Sequence, residues 1–88
     1  MTLHAAYAYN MHMPVVLVIN NIKFFFFSNE GLRPHVHIKL AEFEIQVWLD
    51  DLTIKQGCKN KAVQKEMVRL VQKHREELVD SWNEFFGE

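Results

Sequence analysis

The chain is poor in the residues that would commit it to several common protein classes. Cys58 is the only cysteine among 88 residues, so no disulfide can form within one chain, which is typical of a reducing compartment. The apolar run at residues 15–19 is far shorter than the ~20 residues needed to span a bilayer. The first residues lack the basic and apolar regions of a signal peptide. We therefore expect a cytoplasmic protein with no membrane partner.

Sequence motifs that carry familiar chemistry are also missing. The chain has no Walker loop, no nucleophile elbow, no CxxC pair and no zinc-finger spacing. Its formal net charge is −1, so general binding of polyanions is not indicated. With 49% hydrophobic and 24% charged residues, the composition is that of an ordinary globular domain. No cofactor is predicted.

What is present in the first half is a series of β-branched, aromatic and alternating segments that predict strands. The predicted strands are residues 14–19, 22–27, 35–40 and 43–49, with a short one at 52–54. Asn20 and Asn21 separate the first two, and asparagine tolerates the positive φ of a tight hairpin turn. A second tight turn is expected near Ala41 and Glu42. These segments predict two hairpins.

The second half predicts a helix, because residues 60–86 contain neither glycine nor proline. Asn60 is a suitable N-cap and Gly87 a suitable C-cap. Apolar residues recur at three- and four-residue spacing, as in the core face of a helix; they are Val63, Met67, Leu70, Leu78, Trp82 and Phe85. The predicted fold class is α+β: an antiparallel sheet of four or five strands packed on one long C-terminal helix. Residues 13–88 are expected to form a single domain, preceded by a flexible extension at residues 1–12.

Alternation along the strands predicts that the two faces of the sheet differ. Val36, Ile45 and Val47 are expected to lie under the helix. The opposite face, here called the histidine face, is predicted to carry His35, His37, Lys39, Glu44, Gln46 and Trp48, with either Phe25 and Phe27 or Phe24 and Phe26. Such an aromatic surface is more apolar than a monomer usually exposes. We expect an open face that binds a second copy, another protein or a ligand, unless the N-terminal arm or the final strand folds over it.

His35 and His37 are two residues apart on a strand, so both side chains project from one face, roughly 6.5–7 Å apart at the backbone. Two such imidazoles can bind a metal, act as acid and base on a phosphate, or form hydrogen bonds at an interface. A metal would need a third ligand, for which Glu30, Glu44 and His74 are candidates. Because His74 belongs to the apolar stripe of the helix, it is expected to be a core histidine out of reach of the pair. No metal site is predicted.

The helix carries a row of like charges. Lys61, Lys65, Arg69 and Lys73 stand four residues apart, and each such pair costs about 0.2–0.5 kcal/mol. Residues 76–88 contain five acids and no base, so the charges run against the preference of the helix dipole. An acidic partner or a nucleic-acid backbone would compensate the row. A solvated face with neighbouring counter-charges is the alternative.

Three segments of the chain resemble a known family. Residues 29–37 read NEGLRPHVH, residues 74–78 read HREEL, and residues 82–86 read WNEFF. This pattern is similar to a small bacterial family known as domain of unknown function 4160, and the likeness runs from about residue 13 to residue 86. Members resemble short proteins that open with Met-Pro, which supports Met13 as the usual start.

The resemblance implies a genetic context. Such genes often lie beside a member of the domain of unknown function 2442 family, and the pair resembles a toxin–antitoxin module in which this chain is the toxin-like component. His35, His37, Glu30 and Arg33 match the shared core of the family and are the candidate catalytic residues. The partner would be a small antitoxin-like protein or a second copy in a homo-oligomer.

Three functions are therefore open. The first is a toxin-like component that acts on RNA or another phosphate-bearing target. The second is a non-catalytic interaction module that dimerises or binds a partner, and the third is a small metalloprotein that uses the His-x-His pair. The candidate binding residues are Phe25, Phe27, Lys39, Glu44, Trp48, Lys61, Lys65, Arg69 and Lys73.

Overall fold

The computed structural model describes residues 15–27 and 33–87. The predicted extension at residues 1–12 and the candidate catalytic residue Glu30 lie outside this part of the chain. The elements are β1 (Val15–Ile19), β2 (Ile22–Phe25), β3 (His35–Leu40), β4 (Phe43–Trp48), β5 (Ile54–Gln56), α1 (Lys61–Lys73) and α2 (Arg75–Phe86). The predicted α+β class, with strands first and helices last, is confirmed.

The five strands form one antiparallel sheet in the order of the sequence. Both predicted hairpin turns are present, and each contains a residue with left-handed backbone, Asn20 at φ 55° and Ala41 at φ 54°. Asparagine adopts this conformation more readily than most residues, which explains its place between β1 and β2. Strands that are neighbours in the sheet are also consecutive in the chain, and β5 lies at the edge of the described sheet.

The core lies between one face of the sheet and the two helices. Strand alternation sends the apolar side chains of β2, β3 and β4 to this face, and the helical stripe meets them. The core includes Phe24, Phe26, Val36, Ile38, Ile45, Val47, Met67, Leu70, Val71, Leu78 and Trp82. The side predicted for Val36, Ile45 and Val47 is therefore confirmed.

The predicted single helix is divided in two at His74, where the backbone leaves helical values with φ −109° and ψ 20°. Both predicted caps are present: the Asn60 side chain accepts a hydrogen bond from the Val63 N–H at 3.1 Å, and Gly87 has φ 82°. Immediately after the break, Arg75 Nε donates to the carbonyl of Leu49 at 2.8 Å, which fixes the start of α2 to the turn after β4. Neither helix in this part of the chain is long and apolar enough to cross a membrane.

A pair of identical substitutions tests the packing of the sheet. Ile45 has no exposed surface, whereas Ile54 on the edge strand is 36% exposed. We expect Ile45→Val to lower the free energy of unfolding by about 0.5–1.5 kcal/mol, because the lost methyl leaves a cavity, and Ile54→Val to lower it by clearly less. Chemical denaturation followed by tryptophan fluorescence measures both, and equal losses would contradict the described core.

Candidate functional site

The two histidines of β3 lie side by side beneath other side chains. Their ring centroids are 5.5 Å apart, as expected for residues that share a strand face. Only 5% of His35 and 3% of His37 is exposed. The expectation that the histidine face is open is therefore wrong for this pair, because aromatic side chains cover both rings.

Phenylalanines from β2 and the residues after it pack against His37. The strand register places Phe25 opposite His37, and the two rings stack at 5.1 Å with an interplanar angle of 18°. The Phe27 ring meets the same imidazole edge-on at 4.6 Å. Phe25 and Phe27 are thus the pair on the histidine face, while Phe24 and Phe26 belong to the core.

His35 contacts tryptophans from two different elements. Its ring centroid lies 5.4 Å from that of Trp48 on β4 and 5.5 Å from that of Trp82 on α2. Trp82 also packs against Phe26 at 5.2 Å, so its indole contacts both a core residue and a residue of the histidine face. The expectation that the helix leaves this face untouched is wrong at His35, since this residue begins β3 and lies at the end of the sheet.

Arg33 does not direct its guanidinium at the histidines. Its Nε and Nη2 atoms donate to the carboxylate of Asp50 at 2.8 and 2.9 Å, and its guanidinium carbon lies 4.0 Å from the Trp48 ring centroid. The hydrogen bonds from Arg33 lower the pKa of Asp50, and those bonds raise the pKa of Arg33 in turn. Its backbone carbonyl lies 2.9 Å from His35 Nδ1. Arg33 thus contacts His35 through its backbone carbonyl.

Within the described residues, which exclude Glu30, the other candidate ligands do not join the histidines in one cluster. Glu44 approaches most closely, with Oε2 3.6 Å from His37 Nδ1, while Lys39 is exposed near the end of β3. His74 lies at the junction of the helices, where its ring contacts the Glu77 carboxylate. Across residues 15–27 and 33–87, no three His, Cys, Asp or Glu side chains form a group that could hold a metal ion.

A second candidate surface lies between β5 and α1 and is called here the β5–α1 groove. It is an open depression of about 830 Å³. Leu52, Ile54 and Val68 supply an apolar floor. The charged side chains of α1, three cations and the acid Glu66, form a wall that is cationic overall. The lining residues from the predicted row of charges are Lys61, Lys65 and Arg69; Lys73 lies outside. The sequence indicated the charges but not the groove, which depends on where β5 lies beside the helix.

Only part of the cationic row is neutralised. Arg69 donates to both carboxylate oxygens of Glu66, at 3.0 and 2.7 Å, and these hydrogen bonds lower the pKa of Glu66. Lys61 Nζ donates to the carbonyl of Cys58 at 3.2 Å. Within the described residues neither Lys65 nor Lys73 makes an ion pair, so Lys65 brings an uncompensated charge to the groove.

A close contact between the chain after β5 and α1 sets the width of the groove at one end. The Cys58 N–H donates to Gln64 Oε1 at 2.9 Å. A β-carbon at Gly57 would lie 2.5 Å from that same oxygen, which is nearer than carbon and oxygen atoms approach. A side chain at position 57 would therefore displace the Gln64 amide from its hydrogen bond with Cys58.

The ion pair of Arg33 predicts a pH dependence of stability. Since the pKa of Asp50 is lowered on folding from its ordinary value of 3.8, the pair stabilises the fold above that pH and the contribution is lost as pH falls through the lower folded value. We expect Asp50→Asn to destabilise the protein at pH 7 and to cost progressively less below pH 3.8.

Asp80→Asn, on the exposed surface of α2, is the matched control and should show little loss at either pH. Urea denaturation at several pH values measures the difference. A loss from Asp50→Asn that does not change with pH would rule out the ion pair as its cause.

Comparisons with known proteins place the chain in a family. A search of curated proteins and a search of solved structures found no match. The family described as Domain of unknown function (DUF4160) matches residues 21–83, which include the histidine pair, the β5–α1 groove and Trp82. That range covers most of the chain and confirms the resemblance seen in the sequence. The chain is a member of the DUF4160 family.

Proposed function

We propose that this chain is a non-catalytic protein-binding module and that its working surface is the β5–α1 groove. The observation that carries the proposal is the composition of the groove, which joins an apolar floor to a cationic wall containing the unpaired Lys65. Apolar contact area supplies affinity, and surrounding charges select the partner and accelerate the encounter. The β5–α1 groove offers both apolar contact area and charge.

The environment of the histidine pair favours binding over catalysis. A general acid or base must come within hydrogen-bond reach of its substrate. His35 and His37 are almost fully buried among aromatic rings, and Arg33, the nearest candidate for binding a phosphate, is engaged by Asp50. The pair therefore supports the packing of the sheet end better than it supports chemistry on RNA.

The family resemblance suggests the setting of this module. We propose that it is the toxin-like member of a two-protein toxin–antitoxin module, and that the protein encoded by the adjacent gene binds the groove. A location in the cytoplasm is part of the proposal, since a chain with one cysteine forms no internal disulfide.

Nucleic acid is the second candidate for the same surface, because Lys61, Lys65, Arg69 and Lys73 are all exposed on one helix. Two features disfavour it. Among the residues that the structure describes, the groove lining contains no aromatic side chain on which a base could stack, and the formal net charge of the chain is −1. Protein binding accounts for the apolar floor as well as the charges.

A binding experiment with matched charge reversals tests the proposal. The chain and the product of the adjacent gene are purified, mixed and examined by light scattering after size exclusion, then by calorimetry. We expect one complex, weakened about tenfold or more by Lys65→Glu, which places a negative charge in the groove. Lys73→Glu makes the same charge change on the same helix outside the groove and should have a much smaller effect.

Two different results would overturn the two parts of this proposal. Separate elution of the two proteins would overturn the proposed pair, and equal effects of the two reversals would overturn the groove as its surface. His37→Gln removes the imidazole, and with its fold verified by circular dichroism it should bind the partner as the unmodified chain does. Loss of binding in a folded His37→Gln protein would indicate that the partner binds the histidine face instead of the groove.

A further inference from the structure

We infer that the β5–α1 groove receives an extended acidic segment of the partner protein, which adds to β5 as a sixth strand of the sheet. The inference rests on the proposed function and names the chemistry of the occupant. It draws on three observations: the free edge of β5, the apolar floor beside that edge, and the spacing of the cations on α1.

The first observation is the position of β5. In the described sheet it pairs with β4 alone, and all three of its residues, Ile54, Lys55 and Gln56, are exposed. An edge strand presents outward backbone N–H and C=O groups that a further strand can satisfy. Addition of an extended peptide to such an edge is a recurring mode of recognition, in which the backbone provides affinity and alternate side chains provide specificity.

The second observation is that the groove offers two kinds of surface to an added strand. Successive side chains of a strand point in opposite directions. One set would therefore enter the groove and meet both Val68 and the cations of α1, because Ile54 lies opposite the core residue Val47 and the groove is on the helix side of the sheet. The other set would point to the opposite face of the sheet. Acidic residues at the positions that face α1 would bring their carboxylates to Lys65 and their methylene groups to Ile54 and Val68.

The third observation is that the cations on α1 and the alternate residues of a strand have similar spacing. Residues four apart on a helix rise by about 6 Å, which is the spacing of Lys61, Lys65 and Arg69 along α1. Residues two apart on a strand rise by about 6.6–6.8 Å. Where an added strand runs alongside α1, acids at every second position can therefore meet successive cations, of which Lys65 is the one that Glu66 and the Cys58 carbonyl leave available.

A second copy of this chain is a competing occupant. Its own α2 carries Glu76, Asp80 and Glu84 at four-residue spacing, all exposed, so an acidic helix is available in trans. A helix satisfies its own backbone hydrogen bonds, however, and would leave the edge of β5 unused. The extended segment is favoured because it uses the edge, the floor and the charges together.

The test uses synthetic heptapeptides and the full chain. One peptide alternates glutamate and valine; the comparison peptides alternate lysine with valine and glutamate with serine, and a short uridine oligonucleotide represents RNA. Fluorescence anisotropy measures binding of each labelled probe. We expect the glutamate–valine peptide to bind most tightly, because among these probes it alone combines acids that meet the cations with β-branched residues that favour a strand.

Matched variants locate the peptide. Ile54 and Val18 are the exposed apolar residues of the two edge strands, at 36% and 55% exposure. We expect Ile54→Ser to weaken the glutamate–valine peptide about tenfold or more, as Lys65→Glu does, because side-chain contacts in the groove provide the specificity. Val18→Ser and Lys73→Glu should leave its affinity within about twofold.

Hydrogen exchange distinguishes strand addition from charge attraction alone. Bound peptide should slow exchange of backbone amides in β5 and leave those of β1 unchanged. Tighter binding of the oligonucleotide, exchange in β5 unaffected by saturating peptide, or light scattering that shows a dimer abolished by Lys65→Glu would each overturn the inference. If the complex with the adjacent gene product still forms and still depends on Lys65, the proposed function survives and only the acidic strand is refuted.

Discussion

Packing of two helices on one face of a small sheet is the interaction on which the other features depend. The buried stripe of α1 and α2 meets the apolar side chains of β2, β3 and β4, and apolar burial of this kind is the main favourable term in folding. A chain of 88 residues buries only a modest share of its surface, so few contacts are expendable. Because this packing holds α1 beside the sheet, it also creates the groove between the helix and the edge strand.

Much of the fold follows from local pattern. The α+β class, both hairpin turns, the Asn60 cap and the Gly87 cap were all predicted, because each depends on short-range backbone preferences or on a simple period. The division of the helix at His74 was not, since no glycine or proline marks it and Arg75 is tied there to a carbonyl distant in the chain. Local sequence does not reveal such a tertiary contact.

The histidine face and the β5–α1 groove show a different limit of prediction from sequence. Alternation correctly placed His35 and His37 on the side of the sheet opposite Val36, but a period of two says which way a side chain points and not what lies above it. Trp82 was recognised as a core residue of the helix, yet its second contact, with His35, arises where α2 passes the end of the sheet. The cations of α1 were visible in the sequence, whereas the apolar floor beside them depends on the placement of β5.

Gly57 allows the chain after β5 to approach α1 closely. With only a hydrogen where other residues carry carbon, it allows the Gln64 amide to reach the Cys58 N–H and clamp the strand to the helix. This hydrogen bond lies beside the β5–α1 groove, since Gln64 is one of the residues that line it. A side chain at position 57 would displace the Gln64 amide, so the hydrogen bond that joins the end of β5 to α1 requires the bare backbone of glycine.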